Sequence, residues 1–324
     1  MNNSPVLKHY VTLGTDNPWQ LHYRSQGEDH LPVVVLLHAS PMSSAIMQPI
    51  MNTLSDSFKV IALDTPGYGQ SDPLPQTQDG EGDALNNSLE PNNSPEPINS
   101  PEPINSPEPI NSPEPHVGLA PYVQALNEFI NALGLKQPLL YGSATGAQIA
   151  IEYAKAHPAS IKGMVLENAA WFKDDERSAI LEQYFPDIRP QKDGSHLALV
   201  WKMSSQLFHY FPWFDTSENA RVGHADMPAQ VIQDTLMGYL TAGENYHLAY
   251  RAAFMNERPE QLQPVTVPTH ILRWPSSLLK QYVDRLDDAE LPENIQMRFA
   301  QAGIDDRFNV LKQSMLSLSN TSGE

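Results

Sequence analysis

Residues Pro138 to Ala156 read PLLYGSATGAQIAIEYAKA, an apolar run that passes through a glycine-flanked turn directly into an amphipathic segment. A short apolar run followed at once by helical periodicity describes a strand that turns sharply into a helix. Gly142 and Gly146 stand two residues either side of Ala144. At both places a side chain would hold strand and helix apart, so the pair puts Ala144 at the tip of a tight, strained turn. Taking Ser143 as the tip instead would place Tyr141 and Thr145 on the two crowded positions and leave both glycines without a purpose. Ser143 is therefore read as a hydroxyl bonded to local backbone within the turn.

Strand-like stretches elsewhere agree with a sheet built around this junction. His9 to Leu13 and Gln20 to Tyr23 alternate apolar and polar residues around the turn GTDNP, as an edge hairpin does. PVVVLLH at Pro32 to His38 is a continuous branched run suited to a strand buried on both faces. A helix over Ala45 to Leu54 and a strand over Phe58 to Leu63 follow, and that rhythm implies a right-handed, mostly parallel α/β sheet. Further helices are expected over Leu119 to Leu133, 279–286 and 306–318, and further strands over Ile161 to Glu167, Val267 to Trp274 and Ile295 to Phe299. Between Ala169 and Glu260 the pattern is helical and rich in aromatic residues, with Asp193 as the expected N-cap of one helix.

Between Pro75 and His116 the composition changes abruptly. EPINSP occurs at Glu96, Glu102 and Glu108, after the variant EPNNSP at Glu90, and no Lys or Arg falls in the tract. Two prolines per six residues exclude a helix or an inner strand, and one isoleucine per repeat buries too little to offset chain entropy. An extended, disordered insertion is expected, either a tolerated expansion of a surface loop or a partner-binding arm. With 20 Lys plus Arg against 38 Asp plus Glu, the net charge of -18 opposes nucleic acid and anionic membranes as partners. Absence of cysteine excludes disulfides, thiolate metal sites and thiol catalysis. No apolar run approaches membrane-spanning length and no secretory leader is legible, so a cytoplasmic location is expected.

Three segments carry a resemblance to the α/β-hydrolase superfamily. GSATG at Gly142 to Gly146 is similar to its nucleophile elbow G-x-S-x-G, LLHASP at Leu36 to Pro41 to its H-G-x-P loop, and LDTPGYGQSDP at Leu63 to Pro73 to its D-x-P-G-x-G-x-S loop. The resemblance implies an α/β-hydrolase fold with a helical cap and the disordered repeat as an insertion. Its parts would be core at 1–74, repeat at 75–116, core with the elbow at 117–168, cap at 169–262 and core again at 263–324. The stretches DGSHL and AGENYHLAYRAAF within the cap resemble a poorly characterised hydrolase-like subgroup. The match also implies an oxyanion hole with a backbone donor from Ala39 or Ser40, and a pocket bordered by His38, Thr145, Trp171 and Trp201. Asp64, Gly67, Gly69 and Ser71 are read as shaping their loop.

Acyl transfer on such a fold needs a nucleophile, an acid and a histidine in that chain order. The matching positions here hold Ala144, Ser277 and Ile304, so all three are vacant. Two side chains are candidate substitutes. Glu167 ends the sixth strand, where haloalkane dehalogenases among the relatives place a catalytic acid, or else it is a strand-end carboxylate bonded to cap backbone. His196 of the cap is the histidine expected to reach the pocket, or else it faces solvent or backbone; His209, His224 and His247 are the other cap histidines. His38 is expected to be structural, and Asp305 and Asp306 either add acid-base capacity or cap the last helix. Scattered histidines without ligand spacing make no metal site, and no cofactor is implied. The expectation is a catalytically degenerate, hydrolase-like protein binding a small, mainly apolar molecule between cap and elbow. Alternatives are an active hydrolase or lyase using non-serine acid-base groups, and an interaction protein working through its acidic repeat arm.

Overall fold

The computed structural model describes residues 4–75, 118–223 and 227–320; the EPINSP repeats and His224 lie outside them. In chain order the elements are β1 (Leu7–Leu13), β2 (Trp19–Gln26), β3 (Val33–Leu37), α1 (Gln48–Leu54), β4 (Lys59–Leu63), α2 (Ala120–Ala132), β5 (Leu139–Ser143), α3 (Thr145–Ala156) and β6 (Gly163–Glu167). There follow α4 (Asp174–Gln183), α5 (Ser195–Gln206), α6 (Ala229–Ala242), α7 (Leu248–Asn256), β7 (Thr269–Arg273), α8 (Lys280–Asp284), β8 (Ile295–Phe299) and α9 (Gly303–Asn320). The eight strands form one sheet in the order β1-β2-β4-β3-β5-β6-β7-β8. β1 pairs antiparallel with β2, and β2 with β4, while β3 to β8 pair in parallel. The edge hairpin and the parallel interior thus follow the alternating and continuous apolar patterns respectively.

Parallel strands covered on both sides feed two cores from alternate residues. Val35, Leu37, Leu140 and Leu166 join the larger core, with α2, α3 and the helical segment between β6 and β7. Val34, Leu36, Tyr141 and Val165 join the smaller one, with α1 and α9. Which residues meet which core decides where each candidate side chain ends up.

Several element ends differ from the sequence reading for local reasons. The helix expected from Ala45 starts as a tight turn over Ser44–Met47, with the Ser43 hydroxyl accepting the Ala45 N–H, before α1 proper. The N-cap of α5 is Gly194, at φ 77°, rather than Asp193. Asp193 acts one residue earlier, its Oδ1 accepting the Ser195 N–H at 3.0 Å. α9 begins at Gly303 rather than Asp306, and Asp306 accepts the Gln301 and Ala302 N–H groups just before it. Asp306 thus lies inside the helix and reaches back to the chain entering it, rather than standing as its N-cap.

The aromatic stripe after β6 divides in two. Phe172, Phe211 and Trp213 are buried, and the Phe172 ring lies 4.6 Å from Tyr282 and 5.8 Å from Phe211, centroid to centroid. They form core beneath α4 to α7, as edge and offset aromatic contacts do. Trp201, by contrast, is 43% exposed on α5. Four tyrosines tie this region together, and one of them, Tyr68, reaches it from the loop after β4. Tyr68 donates to the Tyr246 carbonyl at 2.5 Å, Tyr246 donates to the Pro186 carbonyl at 2.7 Å, and the Tyr184 and Tyr250 hydroxyls share a 2.8 Å bond.

Two predictions come from this packing. A Cβ built on Gly146 would stand 2.3 Å from the Leu37 carbonyl oxygen, a contact with backbone that cannot swing aside. Gly146→Ala is expected to destabilise by about 3 kcal/mol or to prevent folding, read from urea unfolding. Glu257, at the end of α7, is fully buried with Oε2 unpartnered among the described residues. Burial raises its pKa well above the ordinary value, and the nearby Arg177 charge only partly opposes that. The folded chain therefore keeps a proton that the unfolded chain releases above about pH 4.5. Glu257's contribution to stability is fully present below that pH and is lost as pH rises toward the folded pKa. Glu257→Gln should gain on the parent chain as pH rises from 4.5 to 7.5 in urea midpoints; a constant difference across that range would contradict it.

Candidate active-site elbow

Ala144 stands between β5 and α3 at φ 48° and ψ −111°, a conformation that L residues rarely adopt. Holding a non-glycine residue there costs of order 1–3 kcal/mol and persists only where the surroundings enforce it. They do so by close approach: a Cβ on Gly142 would meet the Gly146 carbonyl oxygen at 2.4 Å, and Gly146 in turn lies against Leu37. The turn is tied to its neighbour by the Ala144 N–H donating to the Glu167 carbonyl at 3.0 Å. Ala144 is half-buried, while Ser143 and Thr145 beside it are buried.

Ser143 is not bonded to local backbone as the sequence reading had it. Its Oγ accepts from Asn168 Nδ2 at 3.3 Å, and Asn168 Oδ1 accepts from the Ser277 hydroxyl at 2.6 Å. Asn168, at φ 56°, thus joins the residue before the turn to the residue at the acid position. Every link of that chain is a neutral hydroxyl or amide, so none of its members is a base that could take up a proton. Asn168 and Ser277 are 109 positions apart, which is why this bridge was invisible in the sequence. Ile304, at the histidine position, is 45% exposed in the first turn of α9.

Neither candidate substitute is brought to Ala144. Glu167 belongs to the α1/α9 side of the sheet with Tyr141, not to the cap side, and its partners are side chains rather than cap backbone. Arg307 of α9 holds it through Nε to Oε1 at 2.7 Å and Nη2 to Oε2 at 2.9 Å, and Tyr141 donates to Oε2 at 2.7 Å. Burial works against the Arg307 charge, but the Glu167 carboxylate and the Tyr141 oxygen outweigh it and raise the guanidinium pKa above its ordinary value. His196 is in the first turn of α5, where its Nδ1 accepts the Gln191 N–H at 3.0 Å, so it is the backbone-bonded histidine of the two readings.

His38 is buried between two loops. Its Nε2 accepts the Thr65 N–H at 2.9 Å, which leaves the ring proton on Nδ1 to donate to the Ala39 carbonyl at 3.0 Å. Complete burial pushes its pKa down, so the ring is neutral. Asp64 shapes its loop by accepting the Ser44 and Gln70 N–H groups at 2.6 and 2.8 Å, and it pairs with His22 at 2.8 Å. Trp171 is half-buried, and its carbonyl accepts from Arg285. Among the described residues no group of three His, Asp or Glu side chains could share a metal ion.

Tyr239 of α6 carries a buried hydroxyl that the sequence did not single out. The hydroxyls of Thr145 and Tyr239 are buried without a hydrogen-bond partner among the described residues, while that of Ser40 is buried beside the Tyr68 hydroxyl. α6 packs on the Ser40–Pro41 loop, where a Cβ on Gly238 would touch the Pro41 carbonyl at 2.8 Å, and the Tyr239 ring lies 5.4 Å from that of Tyr246. Glu167→Gln should cost about 3 kcal/mol in urea unfolding, because it leaves the Arg307 charge buried without its partner. Unchanged stability would show that the pair is not formed.

Comparison with known proteins follows the same lines. A family model described as the alpha/beta hydrolase fold matches residues 32–214, more than half of the chain. Over 82 residues the chain is 32% identical to a haloalkane dehalogenase from Mycolicibacterium paratuberculosis (strain ATCC BAA-968 / K-10), a match spanning 24% of this chain and only 27% of that protein. Among solved structures, a hydrolase from Pseudomonas aeruginosa PA01 superposes with a TM-score of 0.59 at 15% identity, covering 96% of this chain and 98% of that one. A bromoperoxidase from Bacillus anthracis gives 0.61 at 14% identity, covering 96% and 99%. The haloalkane dehalogenase DatA from Agrobacterium tumefaciens C58 gives 0.57 at 15% identity, covering 96% and 97%. At such identities these structures speak for the fold alone. With its eight-stranded sheet and its strained elbow turn, the chain belongs to the α/β-hydrolase superfamily.

Proposed function

We propose that this chain is a catalytically degenerate member of its superfamily that binds a small, mainly apolar molecule between cap and elbow without hydrolysing it. The observation that carries this reading is the elbow itself: a costly backbone conformation is kept at Ala144, where the side chain is a methyl group. The flanking positions agree with it. Ser277 is spent in a neutral hydrogen-bond chain, and Ile304 offers no base. An active enzyme working through Glu167 and His196 finds less support, since the first is saturated by Arg307 and Tyr141 and the second is spent on a loop amide. What the arrangement retains is the donor half of an acyl-transfer site, the part made of backbone N–H groups that no side-chain change removes.

Short-chain aryl esters, amides and epoxides offered to the purified chain should show no turnover above a heat-denatured control. Ala144→Ser should remain at least about a thousandfold below a working triad, because a serine without a base stays a weak nucleophile. Turnover that scales with native protein would overturn the reading. Strong activity in Ala144→Ser alone would reveal an acid and base within reach of the turn and overturn it equally.

A further inference from the structure

We infer that the groove between α2, α3 and α7 is the docking site of the chain's own EPINSP tract, received there as an acidic, proline-rich segment. The inference is independent of the chemistry at the elbow.

α3 packs on both α2 and α7, and a groove of about 550 Å³ opens where the three helices meet. That volume lies within the roughly 300–1,000 Å³ of clefts that hold a ligand. Leu119, Val123 and Ala252 give it buried apolar surface, and Met255 lines it at 37% exposure. Gly118 is also part of the lining, and it is the first described residue after the tract. The last full repeat, Glu108 to Pro113, ends a few residues before it. A segment tethered this closely is present at an effective concentration of order millimolar, so a weak fit is enough to hold it.

The hydrogen-bonding groups are complementary. Each repeat has two prolines in six residues, so it carries more carbonyls than N–H groups and needs donors from its surroundings. Asn127 and Gln261 use their amide oxygens within the fold, accepting from Tyr153 at 3.3 Å and from Lys155 at 2.7 Å. Among the described residues their amide nitrogens donate to nothing, and both residues line the groove.

Charge favours the same occupant. On a chain of net charge -18, an acidic segment is repelled from most of the surface. Glu152, the carboxylate in the lining, is matched by Lys155 at 2.6 Å and accepts from Asn256 at 2.9 Å. Arg258 is exposed in the same lining, and among the described residues its guanidinium meets the Met255 carbonyl at 2.7 Å but no carboxylate. A repeat's glutamate thus finds a cation, its isoleucine an apolar floor, and its carbonyls the free amide donors.

Cysteine alkylation tests the docking in the full chain, which has no cysteine of its own. In Met255→Cys the tract should shield the new thiol from iodoacetamide. Adding Ile98→Asp, Ile104→Asp and Ile110→Asp should speed its alkylation at least about tenfold, because each lost isoleucine removes apolar burial. Met237→Cys on α6, where Met237 is 49% exposed, should react at one rate with either tract. The free peptide EPINSPEPINSP should slow Met255→Cys again in the triple-aspartate chain, and QPINSPQPINSP should need a several-fold higher concentration to do so. Thermal unfolding would confirm that each variant is folded. Equal alkylation of Met255→Cys with either tract, equal acceleration at Met237→Cys, or no slowing by the free peptide would overturn the inference. Shielding that fades on dilution would put another copy's tract in the groove and overturn docking within one chain.

Discussion

Backbone against backbone, where α3 crosses the ends of β3 and β5, is the contact on which the rest of the molecule depends. Gly146 lies on the Leu37 carbonyl and Gly142 on the Gly146 carbonyl, at distances that leave no room for a Cβ. Helix and strand this close can be joined only by a turn that forces the residue between them into an unfavourable conformation. Ala144 takes the strain, and its neighbours are aimed as a consequence: Thr145 opens the helix, and Ser143 is directed at Asn168. The chemistry at the elbow has changed relative to the resemblance in its motifs, but the packing that creates the elbow has not. A backbone crossing of this kind is insensitive to which small residue occupies its tip.

Around that turn the ionisable groups are committed to structure. Glu167 joins β6 to α9 through Arg307, His38 joins two loops as a neutral ring, and Asp64 gathers loop amides with His22. A buried carboxylate stays charged only when an opposite charge and hydrogen bonds surround it, and those same partners remove it from proton transfer. The side-chain chain next to the turn, Ser143 to Asn168 to Ser277, is uncharged throughout.

The helices between β6 and β7 complete the surroundings through aromatic packing and tyrosine bonds. Tyr68, from the loop after β4, reaches the Tyr246 carbonyl, and Phe172 stacks among Phe211, Phe254 and Tyr282. Much of the aromatic-rich stretch between Ala169 and Glu260 is thereby consumed as core. Helical periodicity fixes which residues share a face, but not whether that face meets other side chains or a ligand. Trp201 illustrates the limit, because it shares the α5 pattern and yet points to solvent at 43% exposure.

Local pattern was sufficient for the sheet, for the hairpin at its edge and for the turn at Ala144, because each is written in residues adjacent along the chain: apolar runs, alternation and paired glycines. The vacancies at Ala144, Ser277 and Ile304 were likewise legible, since motif positions are counted along the sequence. Partners were not. Asn168 with Ser277, Glu167 with Arg307 and Tyr68 with Tyr246 join segments that no periodicity connects, and the sheet register and helix crossings chose them. The sequence by itself therefore determined the architecture and the missing nucleophile. Only the tertiary structure decided that Glu167 pairs with Arg307 and Tyr141 and that Asn168 bridges Ser143 to Ser277, because a side chain's chemistry depends on what long-range packing places beside it.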